Sequence, residues 1–276
     1  MSRDISAEIT DRIIKAIEHG GLKWVRGWRT RFPVSLATGK TYKGINALLL
    51  LMSQEAHGYK SPFWVTFREA QRRGATVLKG EKASPIVFYE MRERIEKNDD
   101  GTEERRTFPF MRLYYVFNVA QTTLSIKEEA QTFTPIQCAE KVAQGYNVTV
   151  KYGGSQPCYV LSADEVRLPV REDFVSAEAY YATLFHEYAH STGAKHRLNR
   201  ELSTQFGSEA YAYEELIAEL SSAFLCAETG IEGESIQNNA SYVASWLKAL
   251  KDDKRLIFKA SKSAQEATDF IKGKSA

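Results

Sequence analysis

The chain has 276 residues, 43% hydrophobic and 26% charged, with a net charge of +2, which gives room for one large or two ordinary domains of a globular protein. Its longest apolar run, residues 45–52, is interrupted by Asn46 and is too short to span a bilayer; Met1-Ser2-Arg3-Asp4 leads into a polar helix rather than an apolar signal core. Three scattered cysteines (Cys138, Cys158, Cys226) argue against a disulfide framework and a thiolate zinc site, and fit a reducing cytoplasm with no membrane partner.

The small net charge hides an asymmetry. Residues 1–120 carry 21 Lys and Arg against 14 Asp and Glu, a surplus of +7, and the remainder carries 16 against 21, a balance of −5. Regions of opposite charge imply two domains with different tasks, the first facing a polyanion. In chain order, residues 6–18 place Ile9, Ile13, Ile14 and Ile17 at helical spacing, and the helix stops at Gly20-Gly21. Cations then interleave with aromatics: Lys23-Trp24-Val25-Arg26-Gly27-Trp28-Arg29, Lys40, Tyr42-Lys43 and Phe63-Trp64. Single-stranded nucleic acid is bound by this combination, cations meeting phosphates and ring faces meeting unstacked bases. The plainer alternative is a buried aromatic core with a solvated cationic face.

Residues 45–57 and 66–73 read as helices ended by Gly58 and Gly74, and residues 85–89 as a strand. Residues 92–107 form a charged stretch around Asn98-Asp99-Asp100-Gly101, expected as an exposed hairpin tip, with the return strand at 113–119. The first domain is therefore expected over residues 1–122 and a polar linker over 123–135, its core at 127–134. The second domain, 136–276, opens with a helix at 136–144 and short strands at 147–152, 158–161 and 165–168. Helices follow at 176–191, 207–227, 240–250 and 253–271. The fold class is α+β in both domains.

The helix at 176–191 carries His186-Glu187-Tyr188-Ala189-His190, an H-E-x-x-H motif. Residues four apart share a helix face, so the two imidazoles address one ion and Glu187 stands where it can take a proton from a metal-bound water. A catalytic zinc usually takes a third protein ligand, and two compete. His196 completes H-E-x-x-H-x-x-G-x-x-H through Gly193, the metzincin spacing, but all four methionines precede the motif and cannot form that class's methionine turn. Glu215 and Glu219 lie i,i+4 on the helix at 207–227; Glu215 is favoured as the ligand and Glu219 as the group that holds a histidine ring by its free N–H. Tyr242 is a candidate to stabilise the oxyanion, on position alone.

Nearly the whole chain resembles ArdC-type antirestriction proteins. In the first half the resemblance rests on Trp24-x-x-x-Trp28, Thr38-Gly39-Lys40-x-Tyr42-x-Gly44-Ile45-Asn46, Pro62-x-Trp64-x-Thr66 and Gly74-Ala75-x-Val77-x-x-Gly80-Glu81. In the second it rests on Tyr180 to Glu187, His190-Ser191-Thr192-Gly193, Arg197-Leu198-Asn199-Arg200, Glu214 to Leu220, Ser245-Trp246-Leu247-Lys248 and Asp253-Lys254-Arg255. It implies an N-terminal single-stranded-DNA-binding domain, a C-terminal zincin-like metallopeptidase domain, and protection of conjugative plasmid DNA from restriction. Trp24, Trp28, Tyr42 and Trp64 are the stacking candidates, and Lys23, Arg26, Arg29, Lys40 and Lys43 the phosphate candidates. Two other readings stay open: a protein that only coats single-stranded DNA around a structural metal, and a SprT-like protease acting on DNA-bound proteins.

Overall fold

The four isoleucines at helical spacing form one stripe, and the segment folds as helix α1 (Ile5–Gly20) with all four buried. The computed structural model describes residues 4–20, 32–97, 103–126, 135–153, 156–202, 208–231 and 240–274; some side chains inside these ranges, that of Tyr242 among them, are outside the description. The first half continues with β1 (Val34–Ser35), α2 (Ile45–His57), β2 (Phe63–Val65), α3 (Phe67–Arg72), β3 (Ser84–Lys97) and β4 (Glu103–Asn118). Its four strands form a sheet in the order β1-β2-β4-β3, with only β1 and β2 parallel. Asn46, at the start of α2, takes the place of a missing strand partner. Its Oδ1 accepts from the Val87 N–H at 2.7 Å and its Nδ2 donates to the Val87 carbonyl at 2.9 Å, which closes the edge of β3 near its base.

Two segments differ from what the sequence predicts. The charged stretch at 92–107 is mostly strand rather than tip: β3 and β4 stay paired from Ser84↔Val116 to Lys97↔Glu103. A two-stranded ribbon with water on both faces needs no apolar alternation, so periodicity cannot announce it. Phe63-Trp64-Val65 is not a surface patch but strand β2, held between β1 and β4. Trp64 is fully buried with Leu50 and Val116 and presents no ring face to a base, because a large ring gains most from leaving water.

The second half comprises α4 (Pro135–Gly145), β5 (Thr149–Tyr152), β6 (Cys158–Val160), β7 (Glu165–Leu168), α5 (Ala177–Thr192), α6 (Glu209–Thr229), α7 (Ala240–Asp252) and α8 (Leu256–Ile271). Its sheet runs β5-β7-β6, with β6 antiparallel at one edge. Ser176 caps α5 by accepting from the Ala179 N–H at 3.0 Å, and Ser208 caps α6 from the Tyr211 N–H at 3.1 Å. Gly230, at φ 77°, ends α6 in the left-handed conformation that glycine adopts without strain.

Helix α6 is buried around nearly its whole circumference, which explains a sequence with no clean polar stripe. Leu216, Leu220 and Phe224 join the α1 isoleucines and residues of α7 and α8 in one cluster, while Leu225 and Cys226 join a second cluster with α4, α5 and the small sheet. The two domains thus share a hydrophobic core across α6. Polar contacts cross the same seam: Thr10 Oγ1 donates to the Lys254 carbonyl at 2.6 Å, the Gly44 N–H to Gln265 Oε1 at 3.1 Å, and Lys43 pairs with Asp269 at 2.7 Å. The expected linker core, 127–134, lies outside the described residues. No helix among the described residues is long and apolar enough to cross a membrane.

Candidate metal centre

Helices α5 and α6 pack against each other and bring the motif histidines to the glutamates of α6. His186 Nε2 and His190 Nε2 stand 3.1 Å apart, and each is 3.5 Å from a carboxylate oxygen of Glu215. These three side chains offer ligand atoms that all lie within 4.8 Å of one another, the one such group among the described residues. Two imidazoles and a carboxylate are the donor set of a catalytic zinc site.

The surroundings favour a cation. Burial works against charge on His186, yet the hydrogen bond to Glu215 and the negative charges of Glu219, Glu187 and Glu215 outweigh it and raise the pKa to about 10. Burial likewise pushes the Glu215 carboxyl up, but His186, the charge of His190 and the Tyr211 hydroxyl overcome it and hold the group at about 2. Glu215 is therefore an anion at every ordinary pH. The Glu187 carboxyl is buried beside them and raised; burial is the leading cause, opposed by both histidines and by a hydrogen bond from the Tyr159 N–H on β6. A buried carboxylate with an elevated pKa is a better proton acceptor than an exposed one.

A second ring of groups holds the donors in place. Glu219 Oε1 lies 3.8 Å from His186 Nδ1, an ion-pair distance rather than a hydrogen bond. Glu214, which sequence reasoning passed over, does the same for His190: Oε1 is 3.3 Å from Nδ1, leaving Nε2 for the cluster. Arg200 clamps Glu214 with Nε at 2.9 Å and Nη2 at 2.7 Å, and also reaches Thr192 Oγ1 and the Ala189 carbonyl at the end of α5. Arg197 makes a similar clamp on Asp164 at 2.6 and 2.9 Å, and Asp164 accepts from the Tyr159 hydroxyl at 2.8 Å. Tyr159 therefore ties Arg197 to Glu187, its hydroxyl held at one end and its N–H at the other. The Arg-x-x-Arg spacing was visible in the sequence, but nothing there tells which carboxylate each arginine meets.

His196 does not join the cluster. It is exposed, 3.2 Å from Asp164 Oδ2, and lines a cavity of about 560 Å³ with Tyr146, Arg197 and Phe270. Gly193, which the metzincin spacing would use to turn the chain toward the metal, is in right-handed helical conformation; its role is room, since a Cβ there would sit 2.6 Å from Leu202 Cδ2. Tyr242 falls in the first turn of α7, and its side chain is outside the description. Of the DNA candidates, Lys23, Trp24, Arg26, Trp28 and Arg29 lie outside the described residues. Lys40 is exposed, Lys43 is exposed but paired with Asp269, and Tyr42 is half-buried against the Trp64 cluster.

An H-E-x-x-H helix beside a small sheet, with a glutamate from the next helix, defines a zincin-like metallopeptidase domain. The profile of that family, described as zincin-like metallopeptidase, matches residues 137–263, and the profile for the N-terminal domain of anti-restriction factor ArdC matches residues 3–117. The crystal structure of antirestriction protein ArdC from plasmid R388 in its Mn(II)-bound form superposes with a TM-score of 0.78 at 35% identity, covering 98% of both chains. The metal-free form gives 0.79 at 36% identity, covering 98% of this chain and 97% of that one. A Sinorhizobium fredii protein, y4eC, is 38% identical over 97% of this chain and 91% of its own. DNA primase TraC of Escherichia coli is 35% identical over 96% of this chain, which spans only 26% of that relative. The chain belongs to the ArdC family of antirestriction proteins.

Proposed function

We propose that this chain protects incoming conjugative DNA from restriction by combining single-stranded DNA binding with a metal-dependent peptidase site. The observation that carries the peptidase half is the buried Glu187 beside His186, His190 and Glu215. Ligands alone suffice for a structural ion; a buried base among them suits hydrolysis. His186, His190 and Glu215 would hold one divalent ion, zinc by donor type, and when bound it supplies Lewis acidity that activates water and polarises a peptide carbonyl. Glu187 accepts the proton of the attacking water and returns it to the leaving amine, while the Tyr159 N–H fixes its carboxylate. Tyr242 is the proposed oxyanion donor.

The DNA half rests on the cationic surplus of residues 1–120 and on the family. Lys23, Trp24, Arg26, Trp28, Arg29, Lys40, Tyr42 and Lys43 are the proposed contacts, with Trp64 withdrawn. The likeness to part of a DNA primase favours a DNA partner, and a protein already on that DNA is the proposed substrate. The setting is cytoplasmic.

The test replaces Glu187 by Gln. The variant should fold and retain its metal, yet lose cleavage of DNA-bound proteins and protection of transferred DNA. Full protection by Glu187→Gln would remove the peptidase from the mechanism and leave coating of single strands as the activity.

A further inference from the structure

The β3–β4 ribbon exposes large rings that burial would normally claim: Phe88, Tyr89, Tyr114 and Tyr115 are 43%, 56%, 44% and 44% exposed. Strand pairing sorts them by face. Ile86↔Tyr114, Phe88↔Arg112, Glu90↔Phe110 and Arg92↔Phe108 put Phe88, Tyr114 and Phe110 on one face together with Arg112 and Arg92, while Tyr89 and Tyr115 belong to the other. On the first face rings and guanidinium groups alternate. Arg92 lies 3.5 Å from the Phe110 ring centroid, Arg112 lies 5.5 Å from that of Tyr114, and Phe88 meets Tyr114 edge-on at 6.2 Å. The acidic residue described on this face, Glu90, is paired with Arg92 at 2.6 Å.

We infer that this face of the ribbon, through Phe88, Phe110, Tyr114, Arg92 and Arg112, binds single-stranded nucleic acid. The inference rests on the DNA-binding reading above and assigns it a surface that the sequence motifs did not indicate. Charge complementarity selects the occupant: guanidinium groups suit phosphates, and among the described side chains of this face Arg92 and Arg112 stand against the single carboxylate of Glu90. The rings select the strandedness. Bases must be unstacked before they can lie on an aromatic face, and a paired duplex keeps those faces covered.

The test measures the anisotropy of labelled oligo(dT) and of a duplex over a salt series. It compares wild type with Phe88→Ala/Tyr114→Ala, with Arg112→Gln, and with Tyr89→Ala on the opposite face. The ring variant should bind oligo(dT) about 10-fold or more weaker for each stack lost, and Tyr89→Ala should bind like wild type. Arg112→Gln, an exposed position whose loss leaves the strands intact, should lower the salt slope by about one. Wild-type affinity in all three variants, with clear salt-dependent binding by wild type, would overturn the ribbon while sparing the DNA reading. It would then mark the rings as a protein-docking surface or a solvated face. Absence of salt-dependent single-strand binding by wild type would instead overturn the DNA reading, and the ribbon with it.

Discussion

The metal centre and the β3–β4 ribbon both gather charged and aromatic side chains, yet they are built in opposite ways. At the centre each histidine faces its own glutamate, Glu214 is held by Arg200, and the helix beneath is buried around nearly its whole circumference. On the ribbon the described contacts of Phe88, Phe110 and Tyr114 are with neighbours on the same face, and Phe88 and Tyr114 stay exposed to water. Buried ionic groups demand a complete set of partners, because an unpaired charge in low dielectric is costly; exposed rings make no such demand. The centre therefore specifies geometry, and the ribbon offers an adaptable surface suited to a flexible polymer.

The largest expected contrast comes from one substitution made on the helix that carries Glu215 and on the ribbon. Phe224→Ala empties a site in the core shared by the domains, where Phe32 packs edge-on at 5.9 Å, and should destabilise the fold by roughly 3–5 kcal/mol. Phe88→Ala on the ribbon should cost about 1 kcal/mol or less. Urea denaturation of the two variants compares them directly, and equal losses would end the distinction between a braced core and a free surface.

Next in size is the bracing of the centre. Arg200→Ala or Glu214→Ala should weaken metal binding roughly 10- to 100-fold by freeing the His190 ring, although neither side chain belongs to the ligand cluster. Competition against a chelator measures this; unchanged affinity would show that α5 alone fixes the ring. Metal affinity should also fall as pH is lowered, since protons compete for the imidazoles while Glu215 stays an anion. Calorimetry in buffers of different ionisation enthalpy would reveal the released protons. The smallest effect is expected at the seam. Lys43→Ala removes an exposed pair with Asp269 and should change stability by about 1 kcal/mol or less, while measurably weakening oligo(dT) binding if Lys43 also meets phosphate.

How much of this was legible in the sequence follows the same division. The helix α5 motif could be read because metal chemistry demands fixed residue types at fixed helical spacing, and Glu215 and Glu219 followed from the same i,i+4 logic. Glu214 escaped because its neighbour on the helix had already been assigned to the metal, and its role depends on Arg200, brought in by the turn after α5. Helix α1 was readable from its isoleucine spacing and Gly20-Gly21, and α2 from Gly58 at its end. The two-residue strand β1 carries too few residues for any period to appear, and β2 was mistaken for surface because cations flank its rings. The outer ribbon, beyond the strands expected at 85–89 and 113–119, was hidden by its own charge: a stretch such as Arg92-Glu93, exposed on both faces, looks like a loop to any test that seeks an apolar face. The shared core was out of reach altogether, since opposite net charges in the two halves suggested separate bodies while the isoleucines of α1 gave no sign of which helix they cover.

The His-His-Glu centre is tested most directly by asking which residue completes the metal site. Metal content per chain should be measured after exhaustive dialysis for wild type, Glu215→Ala and His196→Ala, each checked for folding. Wild type and His196→Ala should retain about one divalent ion per chain, and Glu215→Ala should retain almost none. Equal retention by Glu215→Ala and His196→Ala, or loss from His196→Ala alone, would contradict a His-His-Glu centre built from α5 and α6.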